Sequence, residues 1–293
     1  MLVENRRGHE AARDLARRVL ACPRCRHTPL EVTEDRVACS ACNWQGEMRN
    51  GVVSPLGAAK EARFDSLHEA IEAQNNHPVV WRWFYQQQCR AIAEALRPGC
   101  VALDLGCGPA SPYDKPDGAL VVGADLSLAS LADNKDIDLA VHASAASLPL
   151  ADRSIDAVIA IYVFHHMVGE NVAATRKNVE AAFAELGRVV KPGAEVLVFE
   201  ICPWRPAWIA ERLVWTAARR LIGKFIDFLF WPPQVYEALG RRAFGDATFE
   251  RRIYRLEWNA RFTPVIGLPW LEWPRFAYPF DVCLFRWRLE DAA

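Results

Sequence analysis

Apolar and polar positions repeat along the chain with two different periods, and these periods predict its secondary structure. Apolar residues recur at helical spacing over 8–20, and two further helices are expected over 63–76 and 79–97. From residue 100, apolar runs alternate with helical segments. The predicted strands are VALDLG (101–106), ALVVGAD (119–125), AVHAS (140–144), DAVIAIYV (156–163) and EVLVFEI (195–201). Strands separated by helices predict an α/β fold with a parallel, doubly wound sheet.

The two ends of the chain show other patterns. Up to residue 56, short alternating runs are punctuated by Gly, Pro and Asn, which predicts a small β-hairpin module. After Pro203 a helical region is expected, followed by the strand-like runs FERRIYRLEWNARF and FDVCLFRWRL with a Pro- and Trp-rich loop between them. The predicted domains are a helix and ribbon over 1–56, a helical connector over 57–98, and the doubly wound domain over 99–293 with a helical insert at about 204–245.

Composition and charge narrow the class of protein. The chain has 293 residues, of which 52% are hydrophobic and 24% charged, as is typical of globular proteins. Its 35 basic and 36 acidic residues give a net charge of −1, which argues against a surface that grips nucleic acid everywhere. The start of the chain lacks the apolar core of a secretory signal, and no long window is free of charge. We therefore expect a soluble, cytoplasmic protein.

Four of the nine cysteines stand in two closely spaced pairs. Cys22, Cys25, Cys39 and Cys42 form the pattern C-x2-C-x13-C-x2-C. Two such pairs place four thiolates around one tetrahedral ion, which suits zinc and leaves no open coordination position. His27 is a substitute ligand to consider, although its position is more typical of a surface residue. We therefore predict a structural zinc site that supplies much of the folding free energy of the ribbon.

A glycine turn follows the first strand of the doubly wound domain. Asp104, Gly106 and Gly108 stand in VALDLGCG, and Asp125 ends the next strand. A strand that ends in Gly-x-Gly lets the backbone approach a ligand, and a carboxylate at the tip of the following strand can accept both hydroxyls of a ribose. The pattern therefore predicts a nucleoside cofactor, and a plain tight turn is the simpler alternative.

These features, followed by SLPLADRSIDAVIAIYVFHH and LGRVVKPGAEVLVFE, resemble the class I S-adenosylmethionine-dependent methyltransferases, and in particular their ubiquinone-type motif set. The resemblance covers roughly residues 80–200. It implies a Rossmann-like methyltransferase sheet and S-adenosylmethionine as the cofactor. A nicotinamide enzyme is disfavoured, because these features are not part of its fingerprint.

The resemblance also implies roles for individual residues. From the methionine end to the adenine end of the cofactor, they are Asp104, Gly106, Gly108, Asp125, Leu126, Ser144 and Ala145. Asp125 would hold the ribose, with Leu126 against the adenine. Ser144 departs from the family's usual Asp and replaces a charged acceptor with a neutral one. The prolines of PASPYDKPDGA are a second departure, because they imply that the helix after the glycines is short, displaced or missing.

Candidates for the chemistry stand at the ends of the fourth and fifth predicted strands. His165 and His166 fall where the methyl group is expected, and a histidine there can act as a base or orient the acceptor. The alternative is that both are packing residues. Tyr162 is placed to shape the acceptor pocket. Glu200 is either a second acceptor-orienting group or a solvated strand end.

The predicted insert over 204–231 is amphipathic and lies in a basic stretch. Residues 205–255 hold ten Lys or Arg against five Asp or Glu. The polar positions Arg212, Arg219 and Asp227 recur opposite the apolar positions Ile209, Leu213, Ile222, Phe225 and Leu229. Three interpretations stay open: a lid that packs on the core, a basic face for a membrane surface or lipid-like acceptor, and an RNA-binding face.

Together these observations predict a methyltransferase that acts on a small, apolar or lipid-like molecule, with peripheral membrane contact through the 204–231 helix. The first alternative is a ribosomal RNA guanine methyltransferase, because a cysteine zinc module and ASAASLPL resemble that group. The second is a non-catalytic zinc-ribbon partner protein whose altered glycine turn no longer binds a cofactor.

Overall fold

The computed structural model describes residues 2–49, 51–55, 86–111, 113–222, 228–254, 262–265, 268–274 and 279–291. The predicted helix over 63–76 and the start of the one over 79–97 lie outside these residues. The helices are α1 Leu2–Val19, α2 Gln86–Ala95, α3 Leu128–Asp133, α4 Val172–Val189, α5 Arg205–Ile222 and α6 Pro233–Phe244. The first strands are β1 Glu31–Val32, β2 Arg36–Ala38, β3 Gln45–Arg49, β4 Val52–Ser54, β5 Val101–Leu105, β6 Leu120–Asp125 and β7 Leu139–His142. The remaining strands are β8 Ile155–Ile161, β9 Val190–Pro203, β10 Thr248–Tyr254, β11 Phe262–Val265, β12 Leu268–Pro274 and β13 Phe280–Arg288.

One large mixed sheet organises the molecule. Among the described residues it has eleven strands, in the order β1-β2-β3-β4-β7-β6-β5-β8-β9-β13-β10. Neighbouring strands from β4 to β9 pair in parallel, and β13 and β10 add antiparallel pairs at the far edge. The order changes direction at β5, between β6 and β8. The predicted doubly wound α/β sheet is confirmed.

The alternation of side chains along the central strands explains how the sheet is covered. All five residues of β5 are buried. Leu103 and Leu105 belong to a core that includes Phe183 of α4, whereas Ala102 packs in a second core with Ile92 of α2. Successive side chains of a strand point to opposite faces, so helices on both faces bury nearly continuous apolar strands.

The N-terminal ribbon continues the same sheet. Val52 and Val53 of β4 pair in parallel with Ala140 and Val141 of β7. The knuckle residue Arg26 donates to the carbonyl of Leu148 at 2.9 Å. The ribbon therefore packs directly on the doubly wound part of the chain, although the predicted boundary at residue 56 stays a prediction.

The Pro- and Trp-rich segment predicted as a loop contains the strands β11 and β12, so that prediction was wrong. They pair as an antiparallel hairpin with an irregular register between Pro264 and Val265. Both strands of a two-stranded hairpin are edge strands. Prolines, which lack an N–H group, are therefore tolerated there.

The face of α5 that packs on the core is not the apolar face that the sequence predicted. Trp215 is buried and Trp208 packs against the core, whereas Leu213 and Leu221 are 77% and 84% exposed. The two indoles lie two turns apart on one face and bury more apolar area than the aliphatic side chains. Leu229 is buried as expected, and Phe225 lies outside the described residues.

Candidate active site

The carboxyl ends of β5, β6, β7, β8 and β9 meet at one edge of the sheet, beside the point where the strand order reverses. Ligands of open α/β sheets bind at such a switch point. Gly106 and Gly108 follow β5 with φ values of +66° and +58°. A Cβ atom on Gly106 would lie 2.6 Å from Cγ2 of Val163, so this position needs glycine for both its conformation and its packing. The glycine turn thus lets the backbone lie close to the strand ends, where a ligand would bind.

The segment after the turn has no helix among its described residues, as its prolines predict. Asn134 holds the segment in place, because its Nδ2 donates to the carbonyl of Gly108 at 3.0 Å and to Oγ of Ser111 at 3.2 Å. Ser111 and Tyr113 in turn donate to Oδ2 of Asp104 at 2.6 and 2.8 Å. The resembled family normally begins a helix at this point. Here side-chain hydrogen bonds support the turn in its place.

Asp104 lies beneath this segment and is only 3% exposed. Burial raises the pKa of its carboxyl to about 6, against the lowering effect of the hydrogen bonds from Ser111 and Tyr113. The group is therefore mostly ionised at neutral pH. A buried carboxylate beside the glycine turn suits a cationic ligand group, and its assignment to the methionine end of a cofactor stays a prediction.

Asp125 ends β6 and is held by two backbone groups. Its Oδ2 accepts from the N–H of Gly108 at 3.0 Å, and its Oδ1 accepts from the N–H of Ser127 at 2.8 Å. Burial raises the pKa of Asp125 despite these hydrogen bonds. The next residue, Leu126, has its carbonyl 3.1 Å from Nε2 of His142. This fixed carboxylate at a strand tip is suited to two vicinal hydroxyls.

Ser144 and Ala145 follow β7, which pairs in register with the end of β6. Oγ of Ser144 accepts from the N–H of Ala146 at 3.3 Å, and Ala145 is buried. The carbonyl of Ser144 accepts from the N–H of Ser147 and closes a tight turn. The structure thus places this turn near Asp125, and its contact with an adenine stays a prediction.

His165 lies in a short 3-10 turn over Phe164–His166 that follows β8. Its Nδ1 is 2.9 Å from Oε2 of Glu200, and Oε1 of Glu200 accepts from the N–H of Phe164 at 2.7 Å. Glu200 is 0% exposed, so the solvated interpretation of this residue was wrong. It points inward because the turn supplies its hydrogen-bond donors. The ring of His166 packs on that of His165, with centroids 4.1 Å apart.

Tyr162, which stands two residues before this turn, is strained and hydrogen-bonded. Tyr162 adopts φ +59°, a conformation that non-glycine residues rarely take outside turns and functional sites. Its hydroxyl accepts a hydrogen bond from Nε2 of Gln88 on α2. The structure therefore brings Tyr162 and His165 to the same strand end.

Aromatic residues of the insert lie against the His165 turn. The rings of His165 and Phe230 are 5.1 Å apart, and Phe230 in turn contacts Phe280 at 5.2 Å. The N–H of Leu229 donates to the carbonyl of His165 at 2.8 Å. Glu211 of α5 accepts from the N–H of Phe230, and burial raises the pKa of its carboxyl to about 7. The sequence analysis missed Glu211. The feature that could have revealed it is an acidic residue at helical spacing from Trp208 and Trp215, on the same face of α5.

The four cysteines of the ribbon come together as predicted from their spacing. Their Sγ atoms all lie within 4.8 Å of one another, with Cys22 and Cys42 at 3.5 Å and Cys25 and Cys39 at 3.6 Å. A tetrahedral ion with bonds of about 2.3 Å to sulfur needs ligand separations of about 3.8 Å. The cluster therefore suits one metal ion. His27 is not part of it, and its Nε2 lies 3.5 Å from Oγ of Ser40.

Within the part of the chain that the structure describes, we find no helix with the length and apolarity needed to span a bilayer.

Comparison with known proteins identifies the class of domain. Residues 103–198 match the family described as a methyltransferase domain. The tRNA (carboxymethyluridine(34)-5-O)-methyltransferase of Arabidopsis thaliana is 32% identical over 162 residues, which cover 55% of this chain and 37% of the relative. A demethylmenaquinone methyltransferase of Streptomyces avermitilis is 31% identical over 166 residues, covering 52% of this chain and 64% of the relative. The chain thus matches less than two thirds of the length of these relatives.

Solved structures agree on the fold. A chain from a complex that contains the Haloferax volcanii Trm112 methyltransferase activator has a TM-score of 0.52 at 17% identity, covering 78% of this chain and 98% of that one. The [4+2]-cyclase SpnF has a TM-score of 0.54 at 14% identity, covering 78% of this chain and 94% of that one. Residues 103–198 are therefore similar to methyltransferase domains, and the sheet has the Rossmann-like fold of these neighbours. A four-cysteine cluster suited to a metal precedes this domain, and the fold supports S-adenosylmethionine as its cofactor.

Proposed function

We propose that the protein transfers a methyl group from S-adenosylmethionine to a small, apolar or lipid-like acceptor. The observation that carries this proposal is the buried His165–Glu200 pair at the end of β8, covered by the aromatic side chains of Phe230 and Phe280. Aromatic walls beside this histidine–carboxylate pair favour an apolar acceptor, from which the histidine can take a proton.

The strand ends offer a matched set of groups for the cofactor. Its sulfonium supplies an electrophilic methyl group for in-line displacement. The ionised Asp104 would attract the ammonium of its methionine part, and Asp125 would accept the ribose hydroxyls. Leu126, Ser144 and Ala145 would border the adenine. Much of the catalysis would come from holding the two reactants close and aligned.

His165 has the hydrogen-bond pattern of an oriented base. The carboxylate of Glu200 only accepts, so Nδ1 of a neutral His165 carries the hydrogen and Nε2 keeps its lone pair. Glu200 would also stabilise the imidazolium formed when Nε2 takes a proton from the acceptor. His166, whose ring packs on that of His165, would help to hold it in place.

An RNA acceptor is the second candidate, and two observations favour it. Part of the chain is similar to a relative named for tRNA methylation, and Arg205, Arg212 and Arg220 of α5 are exposed. A helix with exposed arginines can bind phosphates, and such binding weakens steeply with salt. The exposed apolar residues between these arginines favour a lipid-like acceptor over RNA.

A two-acceptor assay tests the proposal. Purified protein is incubated with S-adenosylmethionine labelled in its methyl group and either demethylmenaquinone in detergent or total tRNA. Label that is extracted into organic solvent would support an apolar acceptor. Label that precipitates with tRNA would contradict the proposal and support the RNA candidate. In His165→Gln the rate should fall by about 100-fold or more, as expected for loss of a general base. His166→Gln is the matched control and should retain most of the activity.

Binding of S-adenosylhomocysteine separates this proposal from a non-catalytic role. Calorimetry on the purified protein should give about one site per chain. Absence of binding in a folded protein would contradict enzymatic function and leave the interpretation as a zinc-ribbon partner protein.

We also propose that the metal in the four-cysteine cluster is zinc. Four thiolates with tetrahedral spacing form a closed, structural donor set, which favours zinc over metals that prefer oxygen ligands.

A further inference from the structure

A buried histidine connects the ribbon to the predicted nucleoside site. His142 is the last residue of β7 and is 2% exposed. Its Nδ1 lies 2.9 Å from Oγ of Ser54, the last residue of the ribbon strand β4. Its Nε2 lies 3.1 Å from the carbonyl oxygen of Leu126. One imidazole therefore joins the end of the ribbon to the loop that follows Asp125.

The direction of these hydrogen bonds follows from their chemistry. The carbonyl of Leu126 can only accept, so Nε2 of His142 must carry the hydrogen and donate it. In a neutral imidazole Nδ1 then holds the lone pair, and Ser54 donates its hydroxyl hydrogen to it. The carbonyl of Leu126 thus sets the tautomer, and the hydroxyl of Ser54 satisfies Nδ1 and holds the ring in the orientation that reaches Leu126.

The residues on both sides of Leu126 are held by other hydrogen bonds, from the N–H of Ser127 to Oδ1 of Asp125 and from the N–H of Ser130 to Oγ of Ser127. Asp125 pairs in register with His142, and its carbonyl accepts from the N–H of Ala143 at 3.0 Å. Beyond that point the chain leaves the sheet and α3 begins at Leu128. The hydrogen bond from His142 adds a support at the carbonyl of Leu126, between the strand and the helix.

We infer that Ser54 and His142 are positioning residues through which the ribbon orders the Asp125–Leu126 edge of the cofactor site. The ribbon then acts within the chain as a built-in support for nucleoside binding. This inference rests on the proposed function, because it assigns that edge to the ribose and adenine.

The test measures the affinity for S-adenosylhomocysteine by calorimetry in single variants of the full chain. Ser54→Ala removes the hydroxyl that holds the ring of His142 and should weaken binding about 3- to 10-fold, the worth of one ordinary hydrogen bond. His142→Asn should weaken it at least as much, because the shorter amide does not reach Leu126. His142→Gln places an amide N–H near the position of Nε2 and should recover part of the affinity.

A matched control separates positioning from stability. Val37→Ala removes buried apolar volume from ribbon strand β2 without touching Ser54 or His142. It should lower the unfolding midpoint of the protein while leaving the affinity within about twofold of the parent. Hydrogen exchange without ligand should speed up at residues 126–129 in Ser54→Ala and not in Val37→Ala.

The outcomes are distinct. If the parent binds and Ser54→Ala binds equally well with unchanged exchange, this inference is overturned and the proposed function stands. If affinity falls equally in Val37→Ala, the ribbon contributes only stability, and the inference is overturned as well. A parent that binds no S-adenosylhomocysteine overturns both proposals.

Discussion

Asp104 combines a buried carboxyl with two hydrogen-bond donors that only partly compensate for its burial. Its pKa of about 6 in the folded protein exceeds its ordinary value of 3.8. The folded state therefore binds the proton more tightly than the unfolded state. This group stabilises the fold most when it is protonated, and the contribution is lost as the pH rises from about 4 through 6.

Asp104→Asn removes this titration and keeps an oxygen that accepts from Ser111 and Tyr113. A shift of about two pH units corresponds to about 3 kcal/mol. The free energy of unfolding of the parent, relative to that of the variant, should thus fall by about 2 to 3 kcal/mol between pH 4 and pH 7.5. Urea unfolding of both proteins across this range measures the difference. A constant difference would contradict the assignment of the pH dependence to Asp104.

Asp125 is the residue on which the nucleoside assignment depends. Asp125→Ala should weaken the binding of S-adenosylhomocysteine by about 1.5 to 3 kcal/mol, because it removes charge-assisted hydrogen bonds to the ribose. Calorimetry measures this loss, and Asp117→Ala, which changes an exposed acid beyond the glycine turn, serves as the control. Equal affinities in folded Asp125→Ala and the parent would place the ribose elsewhere.

The sequence predicted the residues of local motifs but not those that act through distant contacts. The spacing of the cysteines and of the glycine turn predicted where these groups would cluster, because each motif is local or follows from parallel strand ends. Asn134 and His142 were not found, since each acts through contacts with segments far away in the sequence. A polar residue inside the apolar run AVHAS was the one signal for His142.

At the scale of elements, α4 and α6 pack with their backbones close together. A Cβ atom on Gly187 of α4 would lie 2.5 Å from the carbonyl oxygen of Ala243 on α6. In a free helix, Gly→Ala is worth about 1 kcal/mol of stabilisation. Here the clash involves backbone, which cannot move aside cheaply.

Gly187→Ala should therefore destabilise the protein by about 1 to 3 kcal/mol, the usual cost of overpacking. Chemical unfolding of the variant and the parent gives the difference in free energy. Increased stability would show that helix propensity outweighs the close packing of α4 and α6.

The exposed face of α5 bears on the acceptor. Leu213 and Leu221 lie among exposed arginines, and the single acid of the helix, Glu211, faces inward. An apolar stripe flanked by cations is typical of helices that lie in the interface of an anionic membrane. The sequence pattern showed that α5 is amphipathic, but it could not show that two indoles would take the buried side.

The double variant Leu213→Ser and Leu221→Ser should bind less to vesicles of phosphatidylglycerol and phosphatidylcholine. The thermal midpoint should change little, because both side chains are exposed. Vesicle sedimentation measures binding, and Arg212→Gln with Arg220→Gln is the matched pair. If only the arginine pair matters and binding disappears in moderate salt, a phosphate-rich partner such as RNA is favoured instead.

At the scale of the whole molecule, the fold limits the chemistry without choosing the acceptor. A cyclase and a chain from an activator complex both share this architecture, which shows that one fold serves different roles. The acceptor must therefore be argued from the aromatic cover of His165 and the exposed face of α5. The continuity of the sheet from ribbon to domain is the whole-molecule feature that sequence could not predict, because 84 residues separate Ser54 at the end of β4 from Leu139 at the start of β7.

The shared sheet should make the stability of the whole protein depend on the metal of the ribbon. Purified protein should contain about one zinc per chain. Because β4 hydrogen-bonds to β7 and Val37 and Met48 lie in the same core as Leu139, loss of the metal should weaken the whole sheet and not the ribbon alone. Structural zinc sites in small domains contribute on the order of 10 kcal/mol, so Cys22→Ser or a strong chelator should lower the unfolding midpoint markedly.

Calorimetric unfolding and metal analysis test this expectation, and Cys100→Ser, a change of a cysteine outside the cluster, serves as the control. The metal-free protein should unfold in one transition that lies below that of the parent, since ribbon and domain share a core. Two separate transitions, with the second unchanged, would mean that the ribbon unfolds independently. Absence of zinc, with all four ribbon cysteines freely alkylated in the native protein, would contradict the metal assignment itself.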